Sequence, residues 1–219
     1  MKTKSRKTLK IIIFLLFFLL FTPLAVIIGD EKTSFSKETV DIPKLENPIS
    51  VKYLKKNLRK SHPRLVLNSS IEKDPALAAK TIWRALDGIP YALVSYMSDG
   101  VYPEGSTYWD YGTSFSVTTA AMLESAFGSD FGHFQYPGFK ESAVFRKLSI
   151  APSGWYYNFA DCGDKRGKQG DITLAWFATK TGNKAFFEEE RFLMPPREMG
   201  KLSRLSGAAL VWIAQFKPK

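Results

Sequence analysis

The first contrast along the chain is between an apolar run and a polar one. Five basic residues (Lys2, Lys4, Arg6, Lys7, Lys10) precede an almost unbroken apolar stretch from Ile11 to Ile28. Basic residues before such a stretch mark a secretory signal or signal-anchor, with the positive end kept in the cytoplasm. The stretch is longer than an ordinary signal core and just long enough to span a bilayer as a transmembrane helix. The small-residue pattern a signal peptidase needs is poor around Ala25–Gly29, so cleavage and retention stay open. The expectation is export of residues 30–219 to the periplasm or cell exterior, with residues 11–28 either removed or left as an inner-membrane anchor.

Residues 30–60 are polar and read as a spacer that ends in a short solvated helix at 52–60, where Leu and basic residues recur. His62-Pro63 punctuates a brief extended run. A helical register begins at Asp74, which can cap, and Pro75, which suits a first helical position. Leu77, Ile82, Leu86, Ile89 and Leu93 supply its apolar face. Gly88 and Pro90 predict either two helices or one with a kink. A second long helix is predicted from about Ser106 to Phe127, closed by Gly128-Ser129-Asp130. Residues 129–170 are loop-rich, with one short helix over ESAVFRKLS and an extended arm over SGWYYNFAD. Helical patterns return at DITLAWFATKTGN, at KAFFEEERFL and, beyond the break at Pro195-Pro196, at SGAALVWIAQF. These elements predict an all-α fold of helical hairpins with elaborated loops. Nothing supports alternating strands and helices, a phosphate-binding glycine loop, a repeat or a heptad.

Composition narrows the function classes. A chain of 219 residues with 45% hydrophobic and 24% charged content is globular and fits one ordinary domain. The net charge of +10 falls to about +6 once residues 1–30 are set aside. A surplus of that size suits acidic partners or plain solubility. No basic stripe interleaved with aromatics is present, so no nucleic-acid partner is expected. The one cysteine, Cys162, excludes an intramolecular disulfide, and one Cys with two His cannot build a Cys/His metal set. No metal or cofactor is expected.

Three ordered pieces carry a resemblance: DGVYPEGSTYWDYGTSF with AAMLESAFGSDFG, then PGFKESAVF, then APSGWYYNFADCGD. With HPRLVL before them, they resemble the heparinase II/III-like family of polysaccharide lyases over about residues 61–192. The resemblance implies an incomplete (α/α) toroid followed by an antiparallel β-sandwich, in exported proteins that cleave uronate-containing polysaccharides by β-elimination. It also implies a tyrosine and a His or Asn around the uronate subsite. Two departures stand out. Only about a dozen residues separate the HPRLVL-like start from TIWRALDGIP, where the family has further hairpins that supply an Asn or His. No β-sandwich follows the helices. The expectation is thus a 61–219 partial toroid, internally shortened, that is a weakened lyase, a glycan-binding domain without catalysis or a gene remnant.

β-Elimination needs neutralisation of the uronate carboxylate, a base for the C5 proton and an acid for the departing oxygen. Tyr108 and Tyr111, one turn apart at a helix start, are the candidates for proton transfer; covering the edge of a core is their plain alternative. Glu104 can cap that helix or bond sugar hydroxyls. Trp109 and Trp155 can stack on sugar faces or fill core. In YYNFADCGDKR, Asn158 and Arg166 can bind the substrate carboxylate, or Asp161 and Asp164 can tie the loop down through Arg166. Cys162 reads as buried filler, His62 as structural and His133 as a loop residue that can approach a cleft.

Overall fold

The computed structural model describes residues 41–60 and 68–192, and those from Ile42 onward belong to one compact unit. In chain order the helices are α1 (Val51–Asn57), α2 (Asn68–Lys73), α3 (Pro75–Gly88), α4 (Pro90–Leu93), α5 (Gly105–Phe127), α6 (Ser142–Leu148), α7 (Ile172–Thr181) and α8 (Glu189–Phe192), with 3₁₀ turns at Val94–Tyr96 and Lys184–Phe186. The described residues contain no β-sheet. Two isolated antiparallel bridges, Ile150 with Tyr156 and Trp155 with Lys165, fold the expected extended arm back on itself. The fold is all-α.

Local chemistry explains the boundaries. The Asp74 carboxylate accepts the Leu77 N–H at 2.9 Å, and Pro75 follows at the first helical position. Gly88 and Pro90 split the pattern into two helices, α3 and α4. Gly128 ends α5 in the left-handed region (φ +79), donating its N–H to the Glu124 carbonyl at 2.8 Å. Asp171 caps α7 through the Leu174 N–H at 3.0 Å, and Gly182 closes it. The KAFFEEERFL pattern yields a 3₁₀ turn and the single turn α8 instead of one helix.

Two apolar clusters form the core. The larger joins the inner face of α5 (Trp109, Val117, Ala120) to α7 (Leu174, Phe177) and to Phe134, Tyr136 and Phe139 of the loop between α5 and α6. The smaller joins Ile82 and Leu86 of α3 and Leu123 of α5 to Ile49 and Leu54. The residues read as the end of a polar spacer therefore insert apolar side chains: Leu54 of α1 is completely buried. Leu77, expected on the apolar face of α3, is 60% exposed instead.

The expected transmembrane helix and the membrane anchoring and inner-membrane location built on it need correction. Among the described residues no helix is long and apolar enough to cross a membrane. The longest, α5, carries Asp110, Glu124 and many Ser and Thr, each costly in hydrocarbon. Residues 11–28, on which the expectation rested, lie outside the described residues, as do His62, Pro195-Pro196 and SGAALVWIAQF.

The loop from Ser129 to Glu141 is part of the core, not a flap over a cleft. The Asp130 carboxylate gathers the N–H groups of Gly132 (3.1 Å) and Phe134 (3.0 Å). A Cβ at Gly138 would collide with the Tyr96 carbonyl, and its φ of +78 suits glycine. His133, read as a loop residue that can approach a cleft, is fully buried with its ring 5.1 Å from that of Phe139. Neither ring nitrogen has a hydrogen-bond partner among the described residues. Burial holds its pKa down to about 4 from 6.5, against the opposing pull of Asp130.

Stability should therefore fall as pH drops from 6.5 towards 4, because the unfolded chain takes up a proton that the folded one refuses. The shift corresponds to a loss of roughly 3 kcal/mol across that window. Urea unfolding at a series of pH values should show this slope in the wild type, and His133→Leu should flatten it. An unchanged slope in the variant would show that other groups govern the acid response.

Candidate functional site

The register of α5 sorts its aromatic residues. At about 100° per residue, Trp109, Thr113, Val117 and Ala120 share the buried face, whereas Tyr108, Tyr111 and Phe115 share the opposite one. Those three are 41%, 54% and 52% exposed. Their rings form an edge-to-face ladder, with centroids 6.4 Å apart for Tyr108–Tyr111 and 5.3 Å for Tyr111–Phe115. The two tyrosines singled out for proton transfer are thus brought together on a solvent-facing ridge. Phe115 completes it and was missed by the motif reading; its spacing, four residues after Tyr111 and seven after Tyr108, was the available signal.

Trp109 is not part of that ridge. Its ring is fully buried, 6.1 Å from Phe177, with the Arg146 guanidinium 5.5 Å from its centroid. No ring face is open to a sugar. Glu104 stands at the N-cap position of α5 but makes no side-chain capping bond. Burial, with Glu104 adding a smaller effect, raises the Tyr102 phenol above its ordinary pKa.

Around the helix from the ridge, Asp110 and Ser114 form one wall of a small polar cavity of about 120 Å³. The opposite walls come from Arg146 of α6, Tyr156, the loop from Arg166 to Gly170 and the first turn of α7. Arg146 organises the region. Its Nε donates to Asp171 Oδ2 at 2.9 Å and its Nη1 to the Ser106 carbonyl at 2.9 Å. Its guanidinium also lies 5.1 Å from the Tyr156 ring centroid. The side chains of Arg146 and Asp171 are 5% and 2% exposed. Burial works against the Arg146 charge, but Asp171, Tyr156 and Asp110 outweigh it and leave the guanidinium firmly protonated. For Tyr156, burial exceeds the lowering effect of Arg146, so its phenol stays above the usual value.

Arg166 makes a bidentate pair with Glu188, Nη1 to Oε1 at 2.8 Å and Nη2 to Oε2 at 2.7 Å. Its partner is neither a free substrate position nor the expected Asp161 or Asp164. Glu188 Oε2 also accepts the Asp171 N–H at 3.1 Å, and Lys147 Nζ lies 3.7 Å from Oε1. Burial alone would raise the Glu188 pKa; Arg166, the Asp171 N–H and Lys147 together hold it below the usual carboxylate range.

The remaining expected residues lie on the extended arm and do not line the cavity. Asn158 spends its amide on the Cys162 carbonyl at 2.9 Å. Trp155 is 49% exposed, with Lys165 Nζ 5.6 Å from its ring centroid. Cys162 is buried, its sulfur 3.5 Å from Thr107 Oγ1. The structure therefore groups Tyr108 with Tyr111, and Arg166 with residues the motif reading did not single out: Asp110, Arg146, Tyr156 and Asp171. Among the described residues no three His, Cys, Asp or Glu side chains converge to hold a metal ion.

Arg146→Met should destabilise the protein by about 3–5 kcal/mol in denaturant unfolding, since it strands a buried Asp171 carboxylate and the Ser106 carbonyl. Asp171→Asn keeps a competent helix cap, so the Arg146→Met/Asp171→Asn double variant should lose less than the sum of the singles. Additive losses would mean that the two side chains do not stabilise the fold as a pair.

No family model matches the chain, and no curated protein matches it.

Proposed function

We propose that the chain is a heparinase II/III-like protein, part of an (α/α) toroid, that engages a uronate-containing acidic polysaccharide along the outer ridge of α5. The observation that carries this reading is the ladder Tyr108–Tyr111–Phe115 beside a cavity walled by Asp110, Arg146, Tyr156 and Arg166. Sugars present apolar ring faces and hydroxyl edges. Half-exposed aromatic rings next to convergent polar groups match both. In a cleaving chain Tyr108 and Tyr111 transfer the protons of β-elimination, with Tyr108 the first choice.

A second reading, binding without cleavage, is favoured by the engagement of the two groups meant to neutralise a substrate carboxylate. Arg166 is closed onto Glu188 and Asn158 onto the Cys162 carbonyl. A uronate entering here would have to displace Glu188 before its C5 proton became acidic.

The test combines binding and turnover. The full chain is titrated with heparan sulfate, chondroitin sulfate and alginate by affinity electrophoresis, and the ultraviolet absorbance of unsaturated uronate products is followed. At least one polymer should bind, and Tyr108→Ala/Tyr111→Ala should weaken it by about tenfold or more, the loss of about 1.4 kcal/mol. Product formation that disappears in Tyr108→Phe or Tyr111→Phe, with binding kept, supports the lyase; binding without product supports the second reading. Binding that is absent, or indifferent to the double variant, overturns the proposal.

A further inference from the structure

Helix α1 turns a run of like charges to solvent. Leu54 is completely buried, and Tyr53 packs inward against the rings of Phe127 and Phe131, with centroids 6.1 and 6.0 Å away. At about 100° per residue, that commitment sends Lys52, Lys55 and Lys56 to the opposite side, within an arc of about 100°. All three are exposed, as are Arg59 and Lys60 just beyond the helix. Between Glu46 and Glu72 the chain has no acidic residue. Among the described residues none of these five basic side chains makes an ion pair.

Helix-end electrostatics explain only part of this strip. Lys55 and Lys56 stand in the last turn, where the helix dipole favours cations, but Lys52 stands in the first, where it opposes them. Lys52 also repels Lys55 and Lys56, three and four residues on. A face that serves solubility alone mixes the two signs. The far end is tied down: Arg59 donates its N–H to the Ala126 carbonyl at 2.8 Å, and a Cβ at Gly128 would meet its guanidinium at 2.9 Å. The strip therefore ends against the last turn of α5, about 25 Å along that helix from Tyr111.

The apolar side chains decide which polyanion fits. Val51, Tyr53, Leu54 and Leu58 all pack on the smaller core cluster. Helix α1 thus keeps no apolar side chain to insert into a lipid surface and no ring to stack on a nucleic-acid base. A flexible chain that carries its own anionic groups needs neither. The acidic polymer proposed above has the complementary need, because Arg166 and Asn158 are already engaged within the protein.

We propose that Lys52, Lys55, Lys56, Arg59 and Lys60 form a docking strip for the carboxylate and sulfate groups of an acidic polysaccharide. The inference rests on the glycan reading above for its ligand class. It adds a second contact, remote from the ridge of α5, that holds the polymer by charge and takes no part in any chemistry.

Calorimetry on the full chain tests it with heparan sulfate, chondroitin sulfate, alginate and uncharged dextran, each at low and high salt. At least one acidic polymer should bind, more weakly as salt rises, and dextran should not. Lys52→Gln/Lys56→Gln should weaken that binding by about tenfold and flatten its salt dependence, while Lys52→Arg/Lys56→Arg keeps it. Lys140→Gln/Lys165→Gln removes the same charge elsewhere and should leave it within about twofold. Circular dichroism checks that each variant folds. Binding indifferent to Lys52→Gln/Lys56→Gln, or weakened equally by Lys140→Gln/Lys165→Gln, overturns the inference. So does tighter lysine-dependent binding to phosphatidylserine vesicles or to DNA than to any of the polysaccharides. Polymer binding lost in Tyr108→Ala/Tyr111→Ala but kept in Lys52→Gln/Lys56→Gln sinks this inference alone. The reverse pattern sinks the ridge reading and leaves the strip standing, and no polymer binding at all overturns both.

Discussion

The buried pair between Arg146 and Asp171 is the constraint on which the rest of the site depends. A guanidinium taken out of water loses its hydration, and the loss is recovered only when its charge and its donors all find partners. Arg146 recovers much of that loss by drawing three separate segments to one point. It bonds the Ser106 carbonyl in the first turn of α5 and the Asp171 carboxylate at the cap of α7, and it lies against the rings of Trp109 and Tyr156. A cation against aromatic rings adds a smaller attraction in the same direction. Asp171 in turn serves two masters: one oxygen holds Arg146 and the other holds the Leu174 N–H, while its own N–H reaches Glu188. The start of α5, the start of α7 and the Arg166 loop are therefore fixed together.

That fixed start determines what α5 presents. Tyr108 and Trp109 are neighbours in sequence, and a helix sends neighbours about 100° apart. Once Trp109 is committed to Phe177 and Arg146, Tyr108 must face outward, and Tyr111 and Phe115 follow on the same face. The polar positions Asp110 and Ser114 fall between the two faces and become the cavity wall. One helix thus serves as core, ridge and cavity wall, and the fully buried Trp109 decides the allocation.

Features encoded within a few residues were legible in the sequence. Asp74-Pro75 and Gly128 set helix ends through local hydrogen bonds, and Gly88 with Pro90 divided a pattern whose apolar spacing ran on. Features that depend on distant partners were not. Arg146 lies 25 residues from Asp171 and Arg166 lies 22 from Glu188; nothing local distinguishes Glu188 from the acidic neighbours that follow it. Asp161 and Asp164 were nearer in sequence, but the bridge between Trp155 and Lys165 and the bond from Asn158 to the Cys162 carbonyl shape that arm from within. Of the two roles open to Trp109, stacking on a sugar or filling core, the structure gives the second; composition marks an aromatic cluster without giving its register. The polar spacing of residues 52–60 likewise concealed Leu54, whose burial requires the α3 surface to be in place.

Under the proposed glycan reading, closure of the ion pairs bears differently on recognition and on chemistry. Recognition of hydroxyls draws on donors and acceptors that can remain neutral or paired. Elimination at a uronate needs a positive group with its charge uncommitted, because acidity at C5 follows from charge removed at the carboxylate. Here Arg166 already holds a carboxylate in the geometry a substrate would use, two parallel N–H···O bonds to Glu188. Glu188 is held further by the Asp171 N–H and by Lys147, so exchange of one carboxylate for another would break bonds that also orient the cap of α7. Under the proposed glycan reading, catalysis through Arg166 would require loosening the contacts that position the start of α7, a cost that binding alone would not incur.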